Sequence, residues 1–243
     1  MSSIPTDQSH AEPTIYDRHA DEWWRTDSGA FRSLRSVHRY REDLLSRWLG
    51  NEAGRGRVID IGCGGGFFCA TLSALGAEVI GVDLSAPSLH AAHCHFASDA
   101  RRRPSLIQAD ARQLPLSSEL ANGIVLADVL EHVADWQQVI TEAARLVKVG
   151  GWIYVSTIHR TVLAHVVAIW IGEGLGFIPR GTHDSRMFIR PDELRDFGAS
   201  VGLSVQHLMG ERPRVWASLR RRAIQLADSK HLAVAYSALL RKR

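Results

Sequence analysis

The run R-V-I-D-I-G-C-G-G-G at residues 57–66 joins a strand to a tight turn. Val58, Ile59 and Ile61 are β-branched, as a strand buried on both faces requires. Gly62, Gly64, Gly65 and Gly66 then reverse the chain, and residues 67–75 continue as an apolar helix. Glycine lets backbone approach a ligand with no Cβ in the way. A second apolar strand over residues 78–82 ends in Asp83, 21 residues after Gly62. A carboxylate at the tip of that strand is placed to accept hydrogen bonds from two ribose hydroxyls. Strand, turn, helix, strand and acid in this order set the stretch apart from a plain glycine-rich turn beside a surface aspartate.

The turn is not a dinucleotide fingerprint, because G-x-G-x-x-G would need glycine where the chain has Phe67. Asp60, just before the turn, is unsuited to a pyrophosphate but suited to a cationic amino-acid group. The run D-I-G-C-G-G-G resembles the first motif of class I S-adenosylmethionine-dependent methyltransferases. That resemblance implies a Rossmann-like α/β fold: a mostly parallel seven-stranded sheet with helices on both faces. It also implies that Asp83 is the ribose acid and that Gly62 and Gly64 lie against the cofactor.

The 243 residues suffice for one domain with a sizeable core, and 45% hydrophobic residues is ordinary for a globular protein. Cys63, Cys69 and Cys94 show neither metal spacing nor a secreted framework, so they read as reduced thiols in a cytosolic protein. Residues 1–13 are polar, are expected to form a disordered tail, and do not read as a signal peptide. A net charge of +3 and a pI ≈ 9.0 make the chain modestly basic, with most of the excess near the C-terminus.

Residues 14–243 are expected to form a single domain, opened by a helical cap over 14–50 with Trp23, Trp24, Phe31 and Leu34 as packing residues. Residues 85–97 read as a helix with Ser85 as N-cap, and 106–109 as a short strand ending at Asp110. A fourth strand over 122–127, a helix over 136–147 and a fifth strand over 152–157 follow. Such alternation means a parallel sheet with right-handed crossovers. Ligands then bind beyond the carboxyl ends of the strands, so Gly62, Asp83, Asp110, Asp128 and the segment after Thr157 share one rim. In this fold an acid at Asp110 faces the adenine amino group; a surface aspartate would read the same.

After the fourth strand comes A-D-V-L-E-H-V. If residues 128–132 make a helical turn, Asp128, Glu131 and His132 face one way, at i, i+3 and i+4. Two carboxylates and an imidazole there would hold one divalent cation. An E-H pair at this place also occurs in class I methyltransferases that use no metal, so both readings stay open. Residues 158–190 form a long insertion, apolar over 162–171 and 175–179, that ends in R-G-T-H-D-S-R-M-F-I-R-P.

Taken together, W-W near the start, D-I-G-C-G-G-G, E-H-V, L-V-K-V-G-G, S-T-I-H-R, and G-T-H-D with F-I-R-P-D-E-L resemble the ubiquinone-biosynthesis O-methyltransferases. These enzymes methylate polyprenyl catechols. The resemblance implies that Arg41, Gly62, Asp83 and the backbone near Ala127 contact S-adenosylmethionine, with Arg41 paired to the methionyl carboxylate. The family's eukaryotic members are associated with a divalent metal at a Glu-x-x-Glu-His site, which Asp128, Glu131 and His132 match. Mg²⁺ suits the carboxylates, and Mn²⁺ or Zn²⁺ the imidazole. His183 or Asp184 is the candidate general base for the acceptor hydroxyl. The chain departs from the family at Asp128, Ala127 and Arg180, and matches poorly over 211–230.

Other functions share these motifs: methylation of a different small phenol or an amine without metal, methylation of nucleic acid, or S-adenosylmethionine binding without catalysis. Nucleic acid is disfavoured, because the fourth strand lacks the Asn/Asp-Pro-Pro-Tyr element and no separate basic domain exists. The insertion is too short to span a bilayer, which needs about 20 apolar residues. Val162, Val166, Ile169, Trp170 and Phe177 are expected to form an interfacial patch, with Arg180, Arg186 and Arg220 to Arg222 attracting anionic head groups. The expected setting is the cytoplasmic face of the inner membrane and the expected acceptor a lipophilic aromatic, with no oligomeric state implied.

Overall fold

The computed structural model describes residues 15–25, 31–97, 103–167 and 184–243. Helix α1 (Ile15–Arg18) and the long α2 (Arg32–Leu49) precede the sheet. Then β1 (Arg57–Ile61), α3 (Phe67–Ala74), β2 (Glu78–Asp83), α4 (Ala86–Phe96), β3 (Ser105–Gln108), β4 (Ala121–Ala127), α5 (Trp136–Leu146) and β5 (Val147–Ile158) alternate. After α6 (Val162–His165) come α7 (Pro191–Ser200), β6 (Leu203–Pro213), α8 (Val215–Arg221), β7 (Leu226–Ser229) and β8 (Ala235–Lys242).

The strands form one eight-stranded sheet in the order β3-β2-β1-β4-β5-β8-β6-β7. β1 to β5 are mutually parallel. β8 is antiparallel to both of its neighbours, so β6 runs in the same direction as β5. The parallel half matches the expected doubly wound fold. The sheet has one strand more than expected: β7, the four residues L-A-D-S, pairs only with the end of β6. It carries no alternating pattern, so nothing in its sequence marks it as a strand.

Side chains along β1 alternate between faces. Ile59 and Ile61 join a core with Val139, Ile140 and Leu194 from α5 and α7. Val58 joins a second core with Leu45, Leu49, Phe68 and Leu72 from α2 and α3. With both faces covered, the carboxyl rim of β1, β2 and β4 is where backbone turns stay open to a ligand. Strand order reverses between β1 and β4, and the glycine turn sits there.

Candidate active site

The glycine turn is held from three sides. The amides of Gly62 and Cys63 donate to the Val82 carbonyl at 2.7 and 3.0 Å, which fixes the turn to the end of β2. Gly62 and Gly64 have φ of 73° and 52°, in the left-handed region that a side chain disfavours. A Cβ on Gly62 would lie 2.3 Å from Val129, and one on Gly64 2.5 Å from the Trp23 ring. The turn is therefore clamped between the N-terminal cap and the segment after β4.

Asp83 closes this turn. Its Oδ2 accepts from the Gly64 amide at 2.7 Å and its Oδ1 from the Ser85 amide at 2.8 Å. Burial raises its pKa, and the backbone donors partly oppose that. Asp60 is buried beneath the turn and accepts from Cys69 Sγ at 3.3 Å. Burial, helped by the charges of Asp83 and Glu42, pushes the Asp60 carboxyl up to about 7. Glu42, one residue beyond Arg41 on α2, is likewise pushed up to about 7 by burial. No motif marks Glu42; only the packing of α2 against the sheet brings it here. Asp110, at the end of β3, is tied by Arg112, which donates to both of its oxygens and lowers its pKa.

The cap lies over the turn. Trp24 Nε1 donates to the Gly65 carbonyl at 2.9 Å, and Trp23 Nε1 to Ser88 Oγ at 3.1 Å. Trp23 stacks on Phe31 at 4.1 Å between centroids, and Tyr16 stacks beside both. The Tyr16 hydroxyl bonds His132 Nε2 at 3.2 Å, which links the cap to the segment after β4. Ser85 is the N-cap of α4 and also donates to Asp17 at 2.5 Å.

Beside the turn lies a buried charged group. Arg41 is 3% exposed and holds Glu211 through Nε and Nη2 at 2.9–3.2 Å, while Nη1 bonds Asp128. Glu211 also accepts from Ser237 Oγ at 2.6 Å, and Ser237 bonds the Tyr154 hydroxyl at 2.6 Å. Burial alone would lower the Arg41 pKa; the two carboxylates outweigh it and keep the guanidinium charged. A methionyl carboxylate meeting Arg41 would have to share Nη1 with Asp128. Glu211 is a member of this site that sequence reading missed, since it lies in the stretch that matches the family poorly.

The proposed metal ligands are arranged differently from the expectation. Asp128 has φ of 56° and the following turn, Leu130–His132, is 3₁₀, so the i, i+3, i+4 alignment of an α-helical turn is lost. Asp128 faces Arg41, a fixed cation where a metal would sit. Glu131 is 2% exposed and accepts from Thr157 Oγ1 at 2.8 Å. Burial, with the Asp128 charge, pushes its carboxyl up to about 8. Among the described residues no group of three or more His, Cys, Asp or Glu could hold a metal ion. Asp128, Glu131 and His132 are thus not gathered as a metal-ligand group among the described residues, and the expected metal is not supported.

Of the two candidate bases, His183 lies outside the described residues. Asp184 is exposed, caps the turn Ser185–Met187 and pairs with Arg186 at 2.7 Å. Those hydrogen bonds hold its carboxyl down at about 2, far too acidic to take a proton from a phenol. Ala127 ends β4 with its side chain buried, so only its backbone can meet a ligand at the rim.

Comparison with known proteins agrees with this geometry. Residues 59–155 match a family model described as a methyltransferase domain. The solved magnesium protoporphyrin IX methyltransferase of Synechocystis PCC 6803, with bound SAH, superposes with a TM-score of 0.66 at 19% identity, covering 91% of each chain. The PH0226 protein of Pyrococcus horikoshii OT3 gives 0.67 at 18% identity, over 95% of this chain and 99% of that one. The fold is thus that of the class I methyltransferases. The "Ubiquinone biosynthesis O-methyltransferase" of Paracidovorax citrulli is 36% identical over 218 residues, 86% of this chain and 88% of the relative. A protein of the same description from Albidiferax ferrireducens is 36% identical over 82% of this chain and 79% of its own length. The chain belongs to the ubiquinone biosynthesis O-methyltransferase family.

Proposed function

We propose that the protein transfers a methyl group from S-adenosylmethionine to a catechol-type hydroxyl of a polyprenylated aromatic in ubiquinone biosynthesis. The observation that carries this reading is the likeness to the ubiquinone biosynthesis O-methyltransferases, which runs along most of the chain. The rim geometry supplies the donor side. Asp83, fixed by two backbone amides, presents its remaining lone pairs to the ribose hydroxyls. In this reading Asp60, buried beneath the turn, lies on the side of the cationic methionyl end, Asp110 on that of the adenine amino group, and the Gly62–Gly64 backbone and Ala127 carbonyl on the rim between them. Bound S-adenosylmethionine supplies an electrophilic methyl whose bond to sulfur breaks as the bond to oxygen forms, the sulfur keeping the electron pair.

The chain's own task is then to align acceptor and donor, exclude water and take the hydroxyl proton. The aromatic cap of Tyr16, Trp23 and Phe31 does the excluding. We assign the proton to His183 of the G-T-H-D stretch, because Asp184 is too weak a base. Arg41, Glu211 and Asp128 set the position of the segment that carries Glu131 and His132. Three exposed apolar residues, Val162 and Leu163 of α6 and Val166 just after it, at 84%, 51% and 40% exposure, support docking on a membrane that holds the acceptor. Ile169, Trp170, Phe177 and Arg180 of the expected patch lie outside the described residues.

The test is turnover of labelled S-adenosylmethionine with short- and long-chain 1,2-dihydroxybenzenes, with a monophenol and an amine as controls. Methyl transfer to the catechols and not to the controls is expected. Preference for the amine or monophenol would replace the acceptor by another small molecule.

A further inference from the structure

Helix α8 lies at the tip of the hairpin that joins β6 to the edge strand β7. It reads V-W-A-S-L-R-R and is followed by Arg222. Its inner side is fastened. Ser218 is buried, donates to the Arg214 carbonyl at 2.9 Å and accepts from the Gln225 amide at 2.9 Å. Gln225 Nε2 reaches Ser36 Oγ on α2 at 2.6 Å, and the Ile224 amide reaches Ser33 Oγ at 3.2 Å.

The outer side is unusual for a protein surface. Trp216 is 81% exposed, Val215 62% and Leu219 47%. Leu219 is four residues from Val215 and three from Trp216, both neighbouring spacings on a helix, so the three form one apolar arc. Around it stand five exposed arginines, Arg212, Arg214, Arg220, Arg221 and Arg222. None of the five pairs with a carboxylate among the described residues, and Arg221 bonds only the neutral Gln225, at 3.4 Å. An exposed Trp with aliphatic neighbours inside a ring of cations has the chemistry of an anionic lipid surface. The rings and methyls enter the acyl boundary, and the guanidiniums meet phosphates. Val215 and Leu219 have no π-face on which a base could stack, which argues against single-stranded nucleic acid.

The topology sets this tip beside α6. β6 and β5 run the same way, and Ala235 of β8 pairs with both Ile158 and Glu211, so the two strands end at the same rim. Two strand spacings, about 10 Å, separate them. We infer that α8, through Val215, Trp216 and Leu219 ringed by arginines, is a second membrane-docking element that seats the rim of the active site on an anionic bilayer. The inference deepens the proposed membrane-borne acceptor and rests on that reading for its purpose. The surface itself is independent of α6 and of the catalytic residues.

The experiment uses the full chain and sedimentation with phosphatidylcholine vesicles, with and without phosphatidylglycerol. Wild type is expected to sediment with the anionic vesicles. Trp216→Glu with Leu219→Glu should lower the partition constant at least tenfold. Arg220→Gln, Arg221→Gln and Arg222→Gln together should lower it about a hundredfold, at about fivefold per charge, and shrink the preference for phosphatidylglycerol to what Arg212 and Arg214 sustain. Both variants should keep wild-type turnover of a short, soluble catechol, which separates lost docking from lost folding. Val162→Asp with Val166→Asp is run beside them. If only that variant is released, docking by the insertion stands and the α8 inference falls. Absence of wild-type sedimentation, or binding of a single-stranded RNA oligonucleotide that depends on Trp216 without binding to vesicles, also overturns it. Failure to methylate any catechol while sedimentation behaves as expected would sink the acceptor and leave α8 in place.

Discussion

Asp83 has two tasks for one carboxylate: it knots the glycine turn to α4, and in the proposed reading it accepts from the ribose. Asp83→Ala should therefore weaken S-adenosylmethionine binding by about 1.5–3 kcal/mol, the range for hydrogen bonds to a charged group, readable by calorimetry. Asp60 is subtler. Its folded-state pKa of about 7 lies above that of an unfolded aspartate, about 4. Between those values the native state holds a proton that the unfolded state releases, so this group makes stability fall as pH rises from about 4 to about 7. Glu42 acts in the same direction over the same window. Asp60→Asn should flatten the decline in denaturant midpoint between pH 5 and 7, with Glu42 and Glu131 leaving a residual slope. A wild-type midpoint that rises steadily across that window would contradict the buried, protonated state of these acids.

Helix α2 and strand β6 meet through Arg41 and Glu211, 170 positions apart in the chain. Removing one member of a buried ion pair costs about 3–5 kcal/mol when the other is left without a counter-charge, and less here because Asp128 still faces Arg41. Glu211→Ala should lower the denaturant midpoint accordingly, whereas Glu211→Gln, which can still accept from Arg41 and Ser237, should lower it less. Gly64→Ala tests the cap against the turn. Its left-handed φ costs about 1–2 kcal/mol for a residue with a Cβ, and that Cβ would strike Trp23. Loss of stability together with loss of S-adenosylmethionine affinity is expected. These two junctions show what the sequence carries and what it does not. The turn, Asp83 and the Ser85 cap are local, each determined by neighbours within a few residues, and they read directly. Glu211 and Glu42 owe their place to strand order and helix packing, which no short window encodes. The turn at 128–132 departs from an α-helical one because Asp128 adopts a left-handed φ and a 3₁₀ turn follows, so Glu131 and His132 lose the i+3, i+4 register with it.

At the level of the whole chain, the parallel half was legible because its strands are continuous apolar runs separated by turns. The antiparallel half was not, for β6 carries polar and charged residues and β7 has only four. The same geometry lines up the catalytic rim, α6 and α8 at one end of the sheet. Val162→Asp with Val166→Asp should slow methylation of a long-chain catechol in vesicles severalfold while sparing a soluble one. Equal loss on both acceptors would place α6 in folding or catalysis and not in docking. Among the described residues no helix is long and apolar enough to cross a membrane.

The position of β8 has a bearing on how the molecule is made. This strand separates β5 from β6, yet it follows both in the chain. During synthesis β6 emerges while its lateral partner does not yet exist, and β5 stands with an open edge. Two unpaired strand edges are a template for association with other chains. Ser237, which fastens Glu211 to Tyr154, arrives on the same late strand. The Arg41–Glu211 pair thus gains its Ser237 brace only when β8 slides between its neighbours. Closing the sheet and completing the site are one event, and a chain stalled before β8 would be both inactive and adhesive.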